Sequence, residues 1–146
     1  PAEDRNRTSP FPYGGHRFEF RAVGSSQNPS FVNTVLCTIT AEAFEEFAAK
    51  IEGGAKPQEV AKEALDKAWK VIYNGNGYDP AWLVEAEKRG LCRIDSGVES
   101  INIMSSEKNV ALFDKMKVMS KLEVDARRDA GLQHYAGSIE MEALCM

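Results

Sequence analysis

The 146-residue chain carries 18 Lys and Arg against 22 Asp and Glu, a net charge of −4 with dispersed basic residues, so neither nucleic acid nor an anionic membrane is an expected partner. Its apolar content of 43% suffices for one core, while no apolar run approaches the ~20 residues that span a bilayer and no basic start followed by an apolar core suggests a signal peptide. Cys37, Cys92 and Cys145, odd in number and far apart, match neither a zinc-site spacing nor a disulfide framework, and are expected as reduced thiols in a cytoplasmic compartment or, in a eukaryote, a plastid.

The first element is a turn and strand. Asp4-Arg5-Asn6-Arg7-Thr8-Ser9-Pro10 is joined by a Pro- and Gly-rich turn to Arg17-Phe18-Glu19-Phe20-Arg21, and such a turn would fold Arg7 back beside the strand. In that strand charged and aromatic residues alternate, so Arg17, Glu19 and Arg21 share one face, toward a cleft, and Phe18 and Phe20 the other, toward a core. Two guanidiniums flanking a carboxylate suit a polyanion handled together with a divalent cation: arginine grips phosphate oxygens bidentately, and glutamate supplies a hard oxygen ligand. The same alternation also describes an ordinary amphipathic strand whose Arg and Glu pair on a solvated surface. His16 reads as a solvated turn residue.

After residue 30 the composition shifts to helix, without internal repeats. Asn28-Pro29-Ser30 opens a helix whose apolar positions, from Val32 through Ile39 and Phe44 to Ile51, recur at three- and four-residue steps until Gly53-Gly54. Pro57 sits in the first turn of a second helix, with an apolar stripe from Val60 through Leu65 and Trp69 to Ile72, and the pair forms a helical hairpin. Asp79-Pro80 is an N-cap followed by a first-turn proline for a third helix ending at Gly90; its Trp82 reads as a packed core residue rather than a ligand platform. Ser96 with Glu99 makes a capping box, Ser105-Ser106 begins a helix through Val110 and Phe113, and Ser120 with Glu123 repeats the box before a long polar helix with a poor apolar stripe. That helix either packs on further chain or frays. Methionines from Met104 to Met119 read as core fillers, and Arg127-Arg128 near Asp125 and Asp129 as a solvated charge cluster. The fold class is α+β, predominantly helical: one turn-and-strand segment over residues 1–30, then five or six helices over residues 31–146.

Arg5-Asn6-Arg7-Thr8-Ser9-Pro10-Phe11, followed by Arg17-Phe18-Glu19-Phe20-Arg21-Ala22-Val23-Gly24-Ser25-Ser26, resembles the glutamine synthetases, specifically the large type III form. The similarity continues through Asn33-Thr34-Val35-Leu36, Gly75-Asn76-Gly77-Tyr78, Glu85-Ala86-Glu87-Lys88-Arg89-Gly90-Leu91 and Glu123-Val124-Asp125-Ala126-Arg127. The commoner bacterial forms carry another arginine five residues after the Asn-Arg arginine; here Pro12 stands there, in keeping with type III.

The resemblance implies that residues 1–30 end a catalytic barrel domain and residues 31–146 are a helical region of it. It implies ATP-dependent condensation of glutamate and ammonia to glutamine through a γ-glutamyl phosphate, with Mg2+ or Mn2+, in a homo-oligomer of stacked rings. Arg7 would stabilise the transferred phosphoryl group, Arg17 contact ATP phosphate, Glu19 bind the metal, and Arg21 orient glutamate or the phosphoryl group. The chain opens on Pro1, almost on a catalytic motif, and stops at Met146 in mid-helix. It is therefore expected to be a piece cut at both ends, inactive alone and with apolar surface exposed. Rival readings are a related glutamate–amine ligase, which would keep every motif here, and a non-catalytic helical interaction module, which the complete set of Arg7, Arg17, Glu19 and Arg21 argues against.

Overall fold

The structure, a computed structural model, describes residues 17–19, 28–73 and 76–146, and these are mostly helical. Among the described residues seven α-helices follow one another, and the chain divides into two compact units. One comprises Pro29–Ala49 with Ile94–Met146; the other comprises Lys50–Arg93 with Pro1–Asn28.

In the first of these units, α1 (Ser30–Glu52) starts directly after Pro29, whose carbonyl accepts from the Asn33 N–H. Thr34, Thr38 and Thr40 each donate their hydroxyl to the carbonyl four residues back, at 2.9, 2.7 and 2.7 Å, and so keep a polar atom satisfied inside a helix. That bond is what allows Thr38 to be 3% exposed. The face that α1 turns inward carries Phe31, Val35 and Thr38, spaced four and three residues apart. It leaves Phe44 largely exposed, so the apolar residues of α1 divide between an inner and an outer face.

Phe113, Met119 and Val124 form the buried cluster, with Phe31, Val35, Met104 and Val110 packed against it. These residues come from α1, the C-cap of α4 (Gly97–Ile103), α5 (Glu107–Lys115), the connection that follows it and the start of α6 (Lys121–His134). The methionines at 104 and 119 thus serve as core fillers, as their spacing suggested. Ser120 and Glu123 make both halves of the capping box at the head of α6: the Ser120 N–H donates to Glu123 Oε2 at 2.7 Å and the Glu123 N–H to Ser120 Oγ at 3.3 Å. This fixes the first turn of the helix so that Val124, at 1% exposure, points into the cluster. Leu122 points outward, and its apolar partners on α6 do not line up. α6 does not fray; it continues through a π-helical turn, Tyr135–Ile139, into α7 (Glu140–Cys145). Gly131 brings α6 close to α4, since a β-carbon there would stand 3.2 Å from Ile101 Cγ2.

α5 ends in a Schellman motif, with the Lys117 N–H on Asp114 O and the Val118 N–H on Phe113 O. The left-handed position, normally glycine, is Lys117 at φ 54°. On the same unit Lys115 Nζ lies 2.8 Å from Glu42 Oε1, which ties the end of α5 to α1.

In the other unit, Gly54 (φ 98°) closes the end of α1 with the same paired bonds, Gly54 N–H to Ile51 O and Ala55 N–H to Lys50 O. α2 (Pro57–Ala68) follows with proline in its first turn and Val60 buried at 3%, then tightens into a 3-10 turn, Trp69–Val71. Lys50 reaches Glu63 at 3.2 Å, linking α1 to α2. α3 (Pro80–Lys88) starts where Asp79 Oδ1 accepts from the Ala81 N–H at 2.9 Å.

The strand expected at the start of the chain is not formed among the described residues, where Phe18 makes an isolated bridge. The expected burial of its aromatic face also fails at Phe18, which is 61% exposed. An extended segment buries one face only when a second layer covers it, and that cover is incomplete here. Phe20 lies outside the described residues. Among those residues the buried apolar side chains are Val60, Phe113, Met119 and Val124, while Phe44, Leu65, Trp69, Val84, Leu122 and Leu144 are each more than half exposed. The expected surplus of apolar surface is present.

Candidate functional site

The extended segment 17–19 places Arg17 and Glu19 on one side, two residues apart, and their side chains meet. Arg17 Nη2 donates to Glu19 Oε1 at 2.6 Å and Arg17 Nε to the same oxygen at 3.0 Å. Both side chains keep contact with solvent, Arg17 the more so. The charged face that alternation assigned to this segment is therefore real for its first two members. Arg7 and Arg21, the other two candidate residues, lie outside the described residues, as does His16.

Glu19 offers a carboxylate, the donor that a hard divalent cation prefers, and in this structure that carboxylate already holds a cation, the Arg17 guanidinium. The donor chemistry fits one ligand of a metal site. Among the described residues no group of three or more His, Cys, Asp or Glu gathers around a common point, so Glu19 would share a metal with donors from elsewhere.

A second polar region lies on α2 and α3. A cleft of about 520 Å³ is lined by Asp66, Lys67, Trp69, Lys70, Glu85 and Arg89. Glu63 beside it receives both Lys67, at 2.6 Å, and Lys50, and hydrogen bonding from Lys67 first and Lys50 second holds its carboxyl below the usual value. Arg89 is pinned on three sides: Nε on Glu85 at 2.6 Å, Nη1 on the Ile72 carbonyl at 3.0 Å, and its guanidinium carbon 5.4 Å from the Trp82 ring. The Arg89 bond lowers the Glu85 pKa. Trp82 in turn stacks on Tyr73, centroids 3.7 Å apart and planes inclined by 20°. Trp82 is thus used by its own chain, in keeping with its reading as a packing residue. The Tyr73–Trp82–Arg89 stack has one signal in the sequence, the seven-residue spacing that puts Trp82 of α3 and its C-cap residue Arg89 on one side; nothing local announces Tyr73.

A third feature is an apolar groove of about 460 Å³ between α1 and the end of α5, walled by Thr34, Cys37, Thr38, Ala41, Met116 and Val118. Cys37, Cys92 and Cys145 are free thiols, all exposed. Arg128 bonds Asp129 at 2.7 Å and Ser105 Oγ at 3.1 Å and stands 3.5 Å from Asp125, whose Oδ1 is buried without a hydrogen-bond partner among the described residues. No described helix is long and apolar enough to cross a membrane.

Residues 57–146 match the family described as the glutamine synthetase C-terminal domain. The chain is 38% identical to a type-3 glutamine synthetase of Dictyostelium discoideum over 147 aligned residues, covering 96% of this chain and 20% of that protein. It is 32% identical to a glutamine synthetase of Butyrivibrio fibrisolvens, covering 98% of this chain and 21% of the relative, and 30% identical to one of Bacteroides fragilis (strain YCH46), covering 96% and 20%. The chain therefore spans about a fifth of the length of these relatives. Their similarity reaches back past the family match to take in most of the segment that holds the Arg17–Glu19 pair. With α2 through α7 inside that match, the chain belongs to the glutamine synthetase C-terminal domain family.

Proposed function

We propose that this chain forms part of a type III glutamine synthetase, contributing one edge of its active site and a helical C-terminal region. The reaction is ATP-dependent amidation: the glutamate side-chain carboxylate takes the γ-phosphoryl group of ATP, and ammonia then displaces phosphate from the γ-glutamyl phosphate. The observation that carries this reading is the Arg17–Glu19 pair, an anion grip and a hard cation ligand within one hydrogen bond of each other. Phosphoryl transfer depends on positioning and on neutralising charge, and these two groups do both.

In this reading Arg17 binds a nucleotide phosphate and Arg7 is aimed at the charge that develops on the transferred phosphoryl group. Arg21 orients glutamate or that group. Glu19 is one ligand of Mg2+ or Mn2+, which when bound neutralises phosphate oxygens. The assembly is a homo-oligomer of stacked rings with active sites between neighbours, which agrees with the exposed apolar residues of α1, α2 and α7. The polypeptide reaches well beyond these residues, and the isolated chain is inactive.

The test is glutamine formation from ATP, glutamate and ammonia by the full-length protein under saturating Mg2+. Glu19→Ala and Arg7→Ala are each expected to lower kcat by about 100-fold or more with the oligomer intact, the usual effect of losing a group that stabilises transition-state charge. Phosphorylation of glutamate without glutamine release, or release of another amide, would assign a related ligase; full activity in both variants would remove these residues from the site.

A further inference from the structure

We infer that the apolar groove between α1 and the end of α5 binds a straight-chain monocarboxylate, its tail lying in the groove and its carboxylate on the ammonium of Lys117. Such a site is independent of the roles given to Arg17 and Glu19.

All residues of the groove belong to one compact unit. Thr34, Cys37, Thr38 and Ala41 share a face of α1, and Met116 and Val118 supply the other wall. The hydroxyls of Thr34 and Thr38 are already donated to carbonyls of their own helix, at 2.9 and 2.7 Å. Beyond Asn33 at one end, the lining therefore keeps no strong donor for a polar ligand, and an apolar group is what it accepts without loss. Size separates the kinds of occupant. At about 460 Å³ the groove falls among small-molecule sites, roughly 300–1,000 Å³, whereas a stable protein interface recruits about 20–30 residues on each side. Charge then defines the head of the ligand. Lys117 stands between the wall residues Met116 and Val118, and among the described residues its ammonium has no ion partner, while its neighbour Lys115 is held by Glu42. It also occupies a left-handed backbone position, φ 54°, which glycine would take without strain, so the cation stands there at a conformational cost. A single ammonium is a compact point charge that suits one carboxylate, and the lining holds no guanidinium fork to grip a phosphate.

Cys37 reports on occupancy, because it is an exposed free thiol in the groove, and Cys92 and Cys145, exposed and outside the lining, serve as controls. The test follows alkylation of the three thiols by iodoacetamide in the full-length protein, by mass spectrometry, as octanoate is added. Octanoate should slow the reaction of Cys37 saturably and leave Cys92 and Cys145 unchanged, and acetate, which has the head without the tail, should protect none. Lys117→Gln should raise the octanoate concentration needed for half-protection about two- to fivefold, the effect of losing one exposed ion pair, and leave protection by octanol unchanged. Ala41→Phe, at an exposed helical position that tolerates the larger ring, should abolish protection by both. Protection of all three thiols alike, or none at Cys37, overturns the site, and unchanged octanoate protection in Lys117→Gln overturns its head group. A Cys37 that is inert before octanoate is added would mean that the protein itself fills the groove, which overturns the site as well.

Discussion

Tyr135 lies against Gly97, its Cε2 carbon 2.8 Å from where a β-carbon on residue 97 would stand. Because contacts that short are not tolerated, residue 97 must lack a side chain for the π-helical turn after α6 to meet the first residue of α4. Gly97→Ala is expected to destabilise the fold by about 1–3 kcal/mol, the usual cost of forcing extra volume into a closed contact. Gly137, two residues past Tyr135, has nothing within 4 Å of its β-position, so Gly137→Ala should stabilise by roughly 0.5–1 kcal/mol. Urea unfolding of the two variants should move in opposite directions.

Lys117 occupies a position where Gly54 and Gly90 serve the other two motifs of the same kind. A left-handed conformation at a residue with a β-carbon costs about 1 kcal/mol. Lys117→Gly is therefore expected to raise stability by up to that amount. Gly54→Ala and Gly90→Ala, both in open space, should lower it by about 1 kcal/mol through backbone conformation alone. Thermal melts that place Lys117→Gly below the natural protein would show that the lysine makes a compensating contact.

Val124 and Leu122 are two residues apart on α6 and opposite in fate. Val124→Ala should cost about 2 kcal/mol, since it opens a gap beside Phe113 and Met119. Leu122→Ala should change stability by less than about 0.5 kcal/mol in this chain. Ser120→Ala, one turn earlier, removes the cap of α6 and should cost about 1 kcal/mol.

Acid and alkali act on this unit through different groups. Hydrogen bonds from Ser120 hold the Glu123 pKa below its ordinary value, and the Lys121 ammonium does the same for Asp125. Glu42 raises the pKa of Lys115. A lowered carboxylate contributes stability that is complete above its unfolded value and is lost as pH falls through the folded one; a raised lysine contributes stability that is complete below its unfolded value and is lost as pH rises through the folded one. Stability should therefore be flat from about pH 5 to 10 as far as these groups decide it, falling below roughly 4 and above 10.5. Glu123→Gln should flatten part of the acid limb in a pH series of urea midpoints, and Lys115→Met the alkaline one.

Helix boundaries were legible in the sequence because they depend on local chemistry. Pro29, Pro57, Asp79, Ser96 and Ser120 act on their own first turns, and Gly54 and Gly90 on the turn just ended, whatever else is nearby. The alternation of Arg17 and Glu19 is equally local, which is why their meeting was foreseeable from spacing two. Which apolar residue is buried was not legible. The stripe on α1 includes Phe44 as readily as Val35, and the stripe on α6 is poor, yet Val35 packs inward, Phe44 faces solvent and Val124 is the most buried side chain described. Burial is decided by the partner surface, which periodicity does not contain. The same reason governs Tyr73 on Trp82 and Tyr135 on Gly97: each contact joins residues nine or more positions apart, and only the path of the chain between them brings their surfaces together.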